Sequence, residues 1–338
     1  MIRREALAGL LVAAGAGRAT ARPIPDEPDI AALLARFDKD EHPDLKGVVV
    51  RVDGAPVAER YFNGDGPGTL HDIRSAGKSI TSLLVGAAHD RRLIASLADP
   101  VRNYLPEMRG SAIGDVRIED VLTMRSGLDA NDEVEASPGN ENRLDEAADP
   151  IAFLRAVPRA PAPGSHYLYN SLTAYTAGLV VERATRQHGA DFARTALLAP
   201  LGIERFEWAS DVAGHTKGQG NLSITTRDLA TIGQMVLDRG KYRGRQVLSA
   251  RWIEASLRPR VTIAASDPYA DGYGYFWYTK TWTVAGRPVT VHFASGNGGN
   301  KIYVVPARRM VVGITSSAYG RGHGQRRSQA ILAALLGA

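Results

Sequence analysis

The sequence predicts an α+β protein, with one antiparallel sheet built from strands at both ends of the chain and a mostly helical region inserted between them. β-Branched runs near residues 47–62 and 302–314 predict short strands, and residues 90–200 show mainly helix and loop patterns. Strands and helices segregated along a chain in this way are typical of an α+β fold. We expect an export signal at 1–21, an α/β domain formed by 22–89 and 205–338, and a mostly helical domain at 90–204.

Composition narrows the possible functions. Hydrophobic residues make up 44% of the 338 positions, so the chain can bury a large core. The formal net charge of +5 is too small a surplus to predict a nucleic-acid partner. The absence of cysteine excludes disulfides and thiolate chemistry, and the eight histidines show no H-E-x-x-H spacing. We therefore expect neither a metal nor another cofactor.

The first 21 residues have the pattern of an export signal. Arg3 and Arg4 precede an apolar run over residues 6–16, and Ala19-Thr20-Ala21 fits an A-x-A cleavage site. A membrane anchor is the alternative, but the run is short for a bilayer and rich in alanine and glycine. We expect Sec or twin-arginine export, a periplasmic or secreted protein, and no stable membrane span after cleavage.

The elements follow in order from a short helix over residues 30–37. Asp53-Gly54 between two β-branched runs predicts a hairpin. A helix should then begin near Ser75, because apolar residues recur from position 80 at the spacing of one buried helical face. Residues 129–149 are acidic and without periodicity, which predicts a surface loop. Further helices are predicted from about 118, 172, 229 and 325, and further strands near 272–282, 288–294, 302–305 and 310–314.

Ser75 and Lys78 form the first candidate site. Residues three apart share a helical face, so the Lys78 amine can reach the Ser75 hydroxyl, and the free N–H groups of a helix N-terminus favour negative charge there. Serine is also a preferred helix cap and Lys78 could be an ordinary solvated residue, so spacing alone leaves both interpretations open.

Three stretches follow one another along the chain. The first is Ser75-Ala76-Gly77-Lys78, and the second is Pro163-Gly164 with Tyr169 five residues after the glycine. The third is Ala294-Ser295-Gly296-Asn297-Gly298-Gly299 on a predicted late strand. In this order they resemble S-x-x-K, P-G…Y-x-N and K-T-G or H-T-G, the motifs of the serine β-lactamase and penicillin-recognising superfamily. The resemblance is specifically to its class C-like esterase and amide-hydrolase branch, which includes nylon-oligomer hydrolases. The resemblance covers about residue 30 to the end and implies a β-lactamase/transpeptidase-like fold.

The resemblance implies roles for these residues. Ser75 would be the nucleophile, with Lys78 and Tyr169 transferring protons, because a serine hydroxyl needs a nearby base at neutral pH. Which of the two is the base stays open, and Tyr167 is a rival to Tyr169. The backbone N–H groups of Ser75 and Asn297 would form the oxyanion hole, although a plain turn could also explain the glycines around Asn297. The implied substrate-binding residues are Asn170, Ser171, Ser295, Gly296 and Gly298.

Two departures from the family pattern concern the substrate. Ala294 stands where penicillin-binding enzymes have a cation, and His292 on the same strand face could replace it only partly. Ser171 stands where the second motif usually ends in asparagine. We therefore predict an exported serine hydrolase of small esters or amides acting through an acyl-enzyme. A β-lactamase or D-Ala carboxypeptidase and a catalytically silent binding or sensory module are the alternatives. The sequence leaves the oligomeric state open, and the absence of G-x-S-x-G argues against an α/β-hydrolase.

Overall fold

A computed structural model describes residues 29–337 of the chain, so the predicted export signal lies outside the described residues. The helices in this part of the chain are α1 (Ile30–Ala35), α2 (Ala76–Asp90), α3 (Ile118–Leu122), α4 (Glu141–Asp145), α5 (Pro150–Ala156), α6 (Ser171–Thr185), α7 (Gly189–Ala193), α8 (Thr226–Leu237), α9 (Ala250–Leu257) and α10 (Gly322–Leu336). The strands are β1 (Leu45–Val52), β2 (Ala55–Tyr61), β3 (His71–Asp72), β4 (Glu207–Trp208), β5 (Leu222–Ile224), β6 (Lys241–Tyr242), β7 (Arg245–Gln246), β8 (Val261–Thr262), β9 (Gly272–Tyr273), β10 (Tyr278–Val284), β11 (Arg287–Gly296), β12 (Asn300–Val305) and β13 (Met310–Ser316).

The main sheet joins the two ends of the chain. Its eight strands run in the order β2-β1-β13-β12-β11-β10-β9-β8, and all neighbouring pairs are antiparallel. The N-terminal hairpin turns at Asp53 and Gly54, which both have positive φ, and β1 then pairs with the C-terminal strand β13. The predicted α+β fold, with its sheet built from both termini, is confirmed.

Helices flank this sheet and form a layer beside it. α8 packs on β1, β12 and β13, and Gly233 on α8 leaves room for Val311 and Ile302, since a Cβ there would lie 2.5 Å and 2.7 Å from their side chains. α1 and α10 pack against each other and contact the same sheet. The division of the chain at residues 89/90 and 204/205 stays a prediction.

Helix α2 is buried on every side. All thirteen residues from Ala76 to Ala88 are buried, although the periodicity predicts one buried face. The difference arises because α2 lies between β11 of the sheet and α6 of the helical region, and α9 covers it from a third direction. Small residues permit this packing: a Cβ on Gly86 would meet the Trp252 ring at 2.2 Å. No helix within residues 29–337 is long and apolar enough to cross a membrane.

Candidate active site

Ser75 precedes the first turn of α2, and its side chain does not cap the helix. The chain enters through Arg74, whose positive φ of 52° makes a sharp turn, and the Arg74 N–H donates to Asp72 Oδ1 at 2.8 Å. The Ser75 hydroxyl makes no capping bond to the helix backbone and instead accepts a hydrogen bond from Lys78 Nζ at 2.9 Å. Of the two interpretations of this serine, the geometry favours the reactive one over the capping one.

Lys78 is buried, with 2% of its surface exposed, and all three of its N–H donors have partners. They are Ser75 Oγ at 2.9 Å, Ser171 Oγ at 3.1 Å and the Gln219 carbonyl at 2.7 Å. Burial by itself would lower the pKa of Lys78, but Tyr169, Glu141 and Asp132 outweigh it and raise the pKa above its ordinary value. Lys78 is therefore an ammonium that holds the Ser75 oxygen.

Tyr169 is the tyrosine that lies beside this ammonium. Lys78 Nζ lies 5.1 Å from the centroid of the Tyr169 ring, within the range of a cation–π contact. The turn before it is made by Gly164, which has φ of 77° and donates its N–H to the Arg125 carbonyl at 2.8 Å. Tyr167 instead packs edge-to-face on Tyr273 at 5.2 Å. Between the two rivals, the geometry favours Tyr169.

Asn170 and Ser171 have contacts other than those expected of substrate ligands. Asn170 caps α6, since its Oδ1 accepts from the Thr173 N–H and its Nδ2 donates to the Leu168 carbonyl, both at 2.8 Å. The amide oxygen and nitrogen of this buried side chain thus already have backbone partners, and its role as a substrate ligand stays a prediction. Ser171 is fully buried beneath Lys78 and accepts one of its hydrogen bonds. Its short side chain positions the lysine.

The third motif brings strand β11 against the start of α2. A Cβ on Gly296 would lie 1.9 Å from the Ile73 carbonyl oxygen and 3.0 Å from the Ala76 nitrogen, so only glycine permits this approach. Asn297 follows at the strand end, where its side-chain Oδ1 accepts from the Gly320 N–H. Among the described residues, neither the Ser75 nor the Asn297 backbone N–H donates a hydrogen bond. Both donors are available to a ligand oxygen.

Gly298 continues the turn after Asn297. Its φ of 85° is in the left-handed region, and a Cβ there would lie 3.0 Å from the Tyr319 ring. Gly298 is buried, so its contribution to substrate binding stays a prediction.

A lysine side chain reaches this motif from the neighbouring strand, although position 294 itself has none. Ala294 is fully buried. His292 Nδ1 and Thr279 Oγ1 form a hydrogen bond at 3.0 Å. Burial lowers the pKa of His292 to about 4, so this histidine is neutral and supplies no charge. Lys301 of β12 stands opposite Ser295 in the register and donates to Ser295 Oγ at 2.7 Å. Sequence reasoning missed Lys301, because its partner is specified only by strand pairing.

Two carboxylates from the predicted surface loop also reach the site. Glu141 begins α4 and Asp132 lies in the loop before it, and the charges of both act on Lys78. Burial raises the pKa of each carboxyl, while the Lys78 ammonium opposes that rise. The segment is thus partly a wall of the site, and Asn140 secures it by donating to three of its carbonyls. The acidic composition of residues 129–149 was the sequence feature that could have indicated their contact with a buried lysine.

Comparison with known proteins agrees with this geometry. The family described as Beta-lactamase matches residues 35–336. The chain belongs to the Beta-lactamase family. The prediction of a β-lactamase-like serine hydrolase is confirmed at that level, as is the β-lactamase/transpeptidase-like fold.

Individual relatives of this Beta-lactamase family chain are hydrolases of several kinds. A 6-aminohexanoate-dimer hydrolase of Paenarthrobacter ureafaciens is 28% identical over 298 residues, which cover 84% of this chain and 74% of that protein. A family VIII carboxylesterase structure has a TM-score of 0.70 at 17% identity, covering 91% of this chain and 97% of the other. A class C β-lactamase from Rhodobacter sphaeroides has a TM-score of 0.68 at 18% identity, covering 92% and 100%. At these identities the two structures support the fold alone.

Proposed function

We propose that this protein is an exported serine hydrolase that cleaves small esters or amides through an acyl-enzyme on Ser75. The observation that carries the proposal is the 2.9 Å hydrogen bond from buried Lys78 to a Ser75 hydroxyl that makes no helix cap. A serine becomes nucleophilic when a base takes its proton and a nearby charge stabilises the alkoxide. Lys78 supplies that charge at the reacting atom.

Tyr169 is the proton acceptor in this proposal. The raised pKa of Lys78 keeps its amine protonated, and an ammonium cannot accept the Ser75 proton. Lys78 Nζ lies 5.1 Å from the centroid of the Tyr169 ring, so its positive charge stands beside the group that accepts the proton in this proposal. Tyr169 then takes the proton as Ser75 attacks the carbonyl carbon, and returns it to the leaving alcohol or amine. Water repeats the sequence to release the acid and restore Ser75.

The developing oxyanion is stabilised by the backbone N–H groups of Ser75 and Asn297. Both donors lack a protein acceptor among the described residues, and Gly296 holds their two segments in contact. Loss of one such donor typically costs about 10²–10³ in kcat. The N-terminus of α2 adds its positive dipole end at the same point.

The substrate class rests on what the site contains and on the chain's relatives. Position 294 holds alanine, so the cation that penicillin-binding enzymes carry at that position of the motif is absent from this chain. The relative from Paenarthrobacter ureafaciens is named a 6-aminohexanoate-dimer hydrolase, and a solved neighbour is named a family VIII carboxylesterase. Short linear esters and amides are therefore the substrates to test first.

The deciding experiment compares Ser75→Ala with Ser82→Ala on a p-nitrophenyl ester and the matching anilide. Ser82 lies on α2, the helix that follows Ser75, and its buried hydroxyl has no hydrogen-bond partner among residues 29–337, so it is a matched control. We expect Ser75→Ala to abolish turnover. Mass spectrometry of the wild-type protein incubated with substrate should detect an acyl group on Ser75. Full activity of Ser75→Ala would refute the proposal.

Two alternatives appear as outcomes of the same panel. Faster turnover of a chromogenic cephalosporin or a D-Ala-D-Ala peptide than of either linear substrate would indicate a β-lactamase or carboxypeptidase. Failure of a fluorophosphonate probe to label Ser75, together with no turnover, would indicate a silent binding or sensory module. Export is tested separately, by N-terminal sequencing of secreted or periplasmic protein, which should begin at Arg22.

A further inference from the structure

A buried lysine lies directly behind the third motif, outside the proton-transfer group. Lys301 is 1% exposed, and its amine lies 5.0 Å from the Phe293 ring centroid and 5.9 Å from that of Tyr303. In the described part of the chain its amine makes one conventional hydrogen bond, to Ser295 Oγ at 2.7 Å. Burying a lysine amine with so few polar contacts costs free energy of folding. A functional role for Lys301 would explain why this cost is tolerated.

The hydroxyl of Ser295 has an unused donor. A lysine ammonium can only donate, so the Ser295 oxygen accepts from Lys301 and its own O–H must point elsewhere. Within residues 29–337, no protein group accepts a hydrogen bond from Ser295 Oγ. Ser295 is partly exposed and stands just before Gly296 and Asn297.

This hydroxyl also lies at an open part of the strand edge. Pairing of β11 with β10 ends at Phe293 and Tyr278, so Ser295 extends beyond the end of that neighbour. A substrate whose carbonyl oxygen reaches the Asn297 N–H would pass beside this edge.

We propose that Lys301 is a specificity-determining positioning residue, which orients Ser295 to donate its hydroxyl hydrogen to an acceptor atom, above all a carboxylate, on the substrate. This inference rests on the proposed hydrolase function and adds to it the chemical class of the preferred substrate. Lys301 itself does not touch the substrate, because it is buried behind Ser295. Its positive charge strengthens the Ser295 donor, as charge-assisted hydrogen bonds are the stronger ones.

Protonation of Lys301 provides a signature for this role. Burial lowers its pKa to about 7, against an opposing contribution from Asp267. The tyrosines on this side, Tyr273, Tyr278 and Tyr303, have pKa values raised by burial and stay neutral near pH 7. Above its pKa, a neutral Lys301 amine can accept from Ser295, which withdraws the hydroxyl donor from the substrate.

The test measures kcat/KM for two p-nitrophenyl esters of equal length, one ending in a carboxylate and one in its methyl ester. For the wild type, we expect the ratio of acid to methyl ester to fall as pH rises through about 7. In Lys301→Met the ratio should fall at low pH, on the order of tenfold, and lose its pH dependence. Titration of the groups that act on both esters cancels in this ratio.

A double-mutant cycle with Ser295→Ala, and Ser295→Thr as the variant that keeps a hydroxyl, separates positioning from general damage. Lys301→Met should change the ratio little once Ser295 is alanine, whereas Ser295→Thr should retain the preference. An unchanged ratio in folded Lys301→Met would overturn the inference, and so would an equal effect of Lys301→Met with and without the Ser295 hydroxyl. Because the methyl ester reports turnover independently, failure of the hydrolase proposal would appear as no hydrolysis of either ester.

Discussion

Replacing Gly296 by alanine tests whether the contact between β11 and α2 sets the catalytic geometry. The new Cβ would lie 1.9 Å from the Ile73 carbonyl oxygen, and contacts below 3.0 Å are essentially not seen. The strand must therefore retreat by about 1 Å, since the opposing atom is backbone and cannot rotate away. The Asn297 N–H would move with it, away from Ser75.

The expected loss follows from that displacement. Misplacement of a catalytic group by about 1 Å costs on the order of 10² in rate, and complete loss of an oxyanion donor costs about 10²–10³. Overpacking should also lower the free energy of unfolding by about 1–3 kcal/mol. We expect kcat/KM for the p-nitrophenyl ester to fall at least about a hundredfold.

The assay is run well below the melting temperature, with the folded fraction measured by circular dichroism. Gly66→Ala is the matched control, because a Cβ at Gly66 would meet no atom of residues 29–337 within 4 Å and its φ is not positive. Activity within about threefold of wild type in folded Gly296→Ala would refute the reasoning. A loss of activity that the unfolded fraction of Gly296→Ala fully accounts for would also refute the displacement argument.

Two further predictions concern the surroundings of Lys78 and the start of α6. Glu141→Gln removes a charge that raises the pKa of Lys78, so the amine should lose its proton at lower pH. The alkaline limb of the kcat/KM profile should then move to lower pH, while exposed Glu133→Gln leaves it in place. Asn170→Ala removes a helix cap and should cost about 0.5–2 kcal/mol of unfolding free energy by thermal denaturation, with KM for the short ester nearly unchanged.

The pH profile of Glu141→Gln and the KM of Asn170→Ala can each contradict the expectation stated for that variant. An unmoved alkaline limb in Glu141→Gln would mean that this carboxylate does not control the protonation of Lys78. A raised KM in Asn170→Ala without any loss of stability would support a role of this asparagine in substrate binding. Asn142→Ala on the exposed surface of α4 is the control for loss of an asparagine side chain.

Sequence patterns within a few residues predicted those contacts and turns that neighbouring residues determine by themselves. The contact between Ser75 and Lys78 follows from their separation by three residues, and the N-terminal hairpin follows from Asp53-Gly54. The cap at Asn170 was also readable, since an asparagine directly before a helix is a preferred cap. That same rule explains why its side-chain oxygen accepts from the Thr173 N–H.

Contacts between distant segments could not be predicted in this way. Lys301 meets Ser295 through the register of two strands, and Gln219 reaches Lys78 across 141 positions of the chain. Glu141 enters the site from a segment without periodicity. No spacing rule connects such residues, because the packing of the whole fold determines which ones meet.

The burial of α2 limits where this enzyme can vary. Because every residue from Ala76 to Ala88 is packed against protein, substitutions along the helix that follows Ser75 change the core before they change the surroundings of that serine. New substrate preferences are therefore expected to arise in the segments around the site, such as the one that carries Glu141. A library intended to redirect the enzyme should diversify those segments and leave the helix untouched.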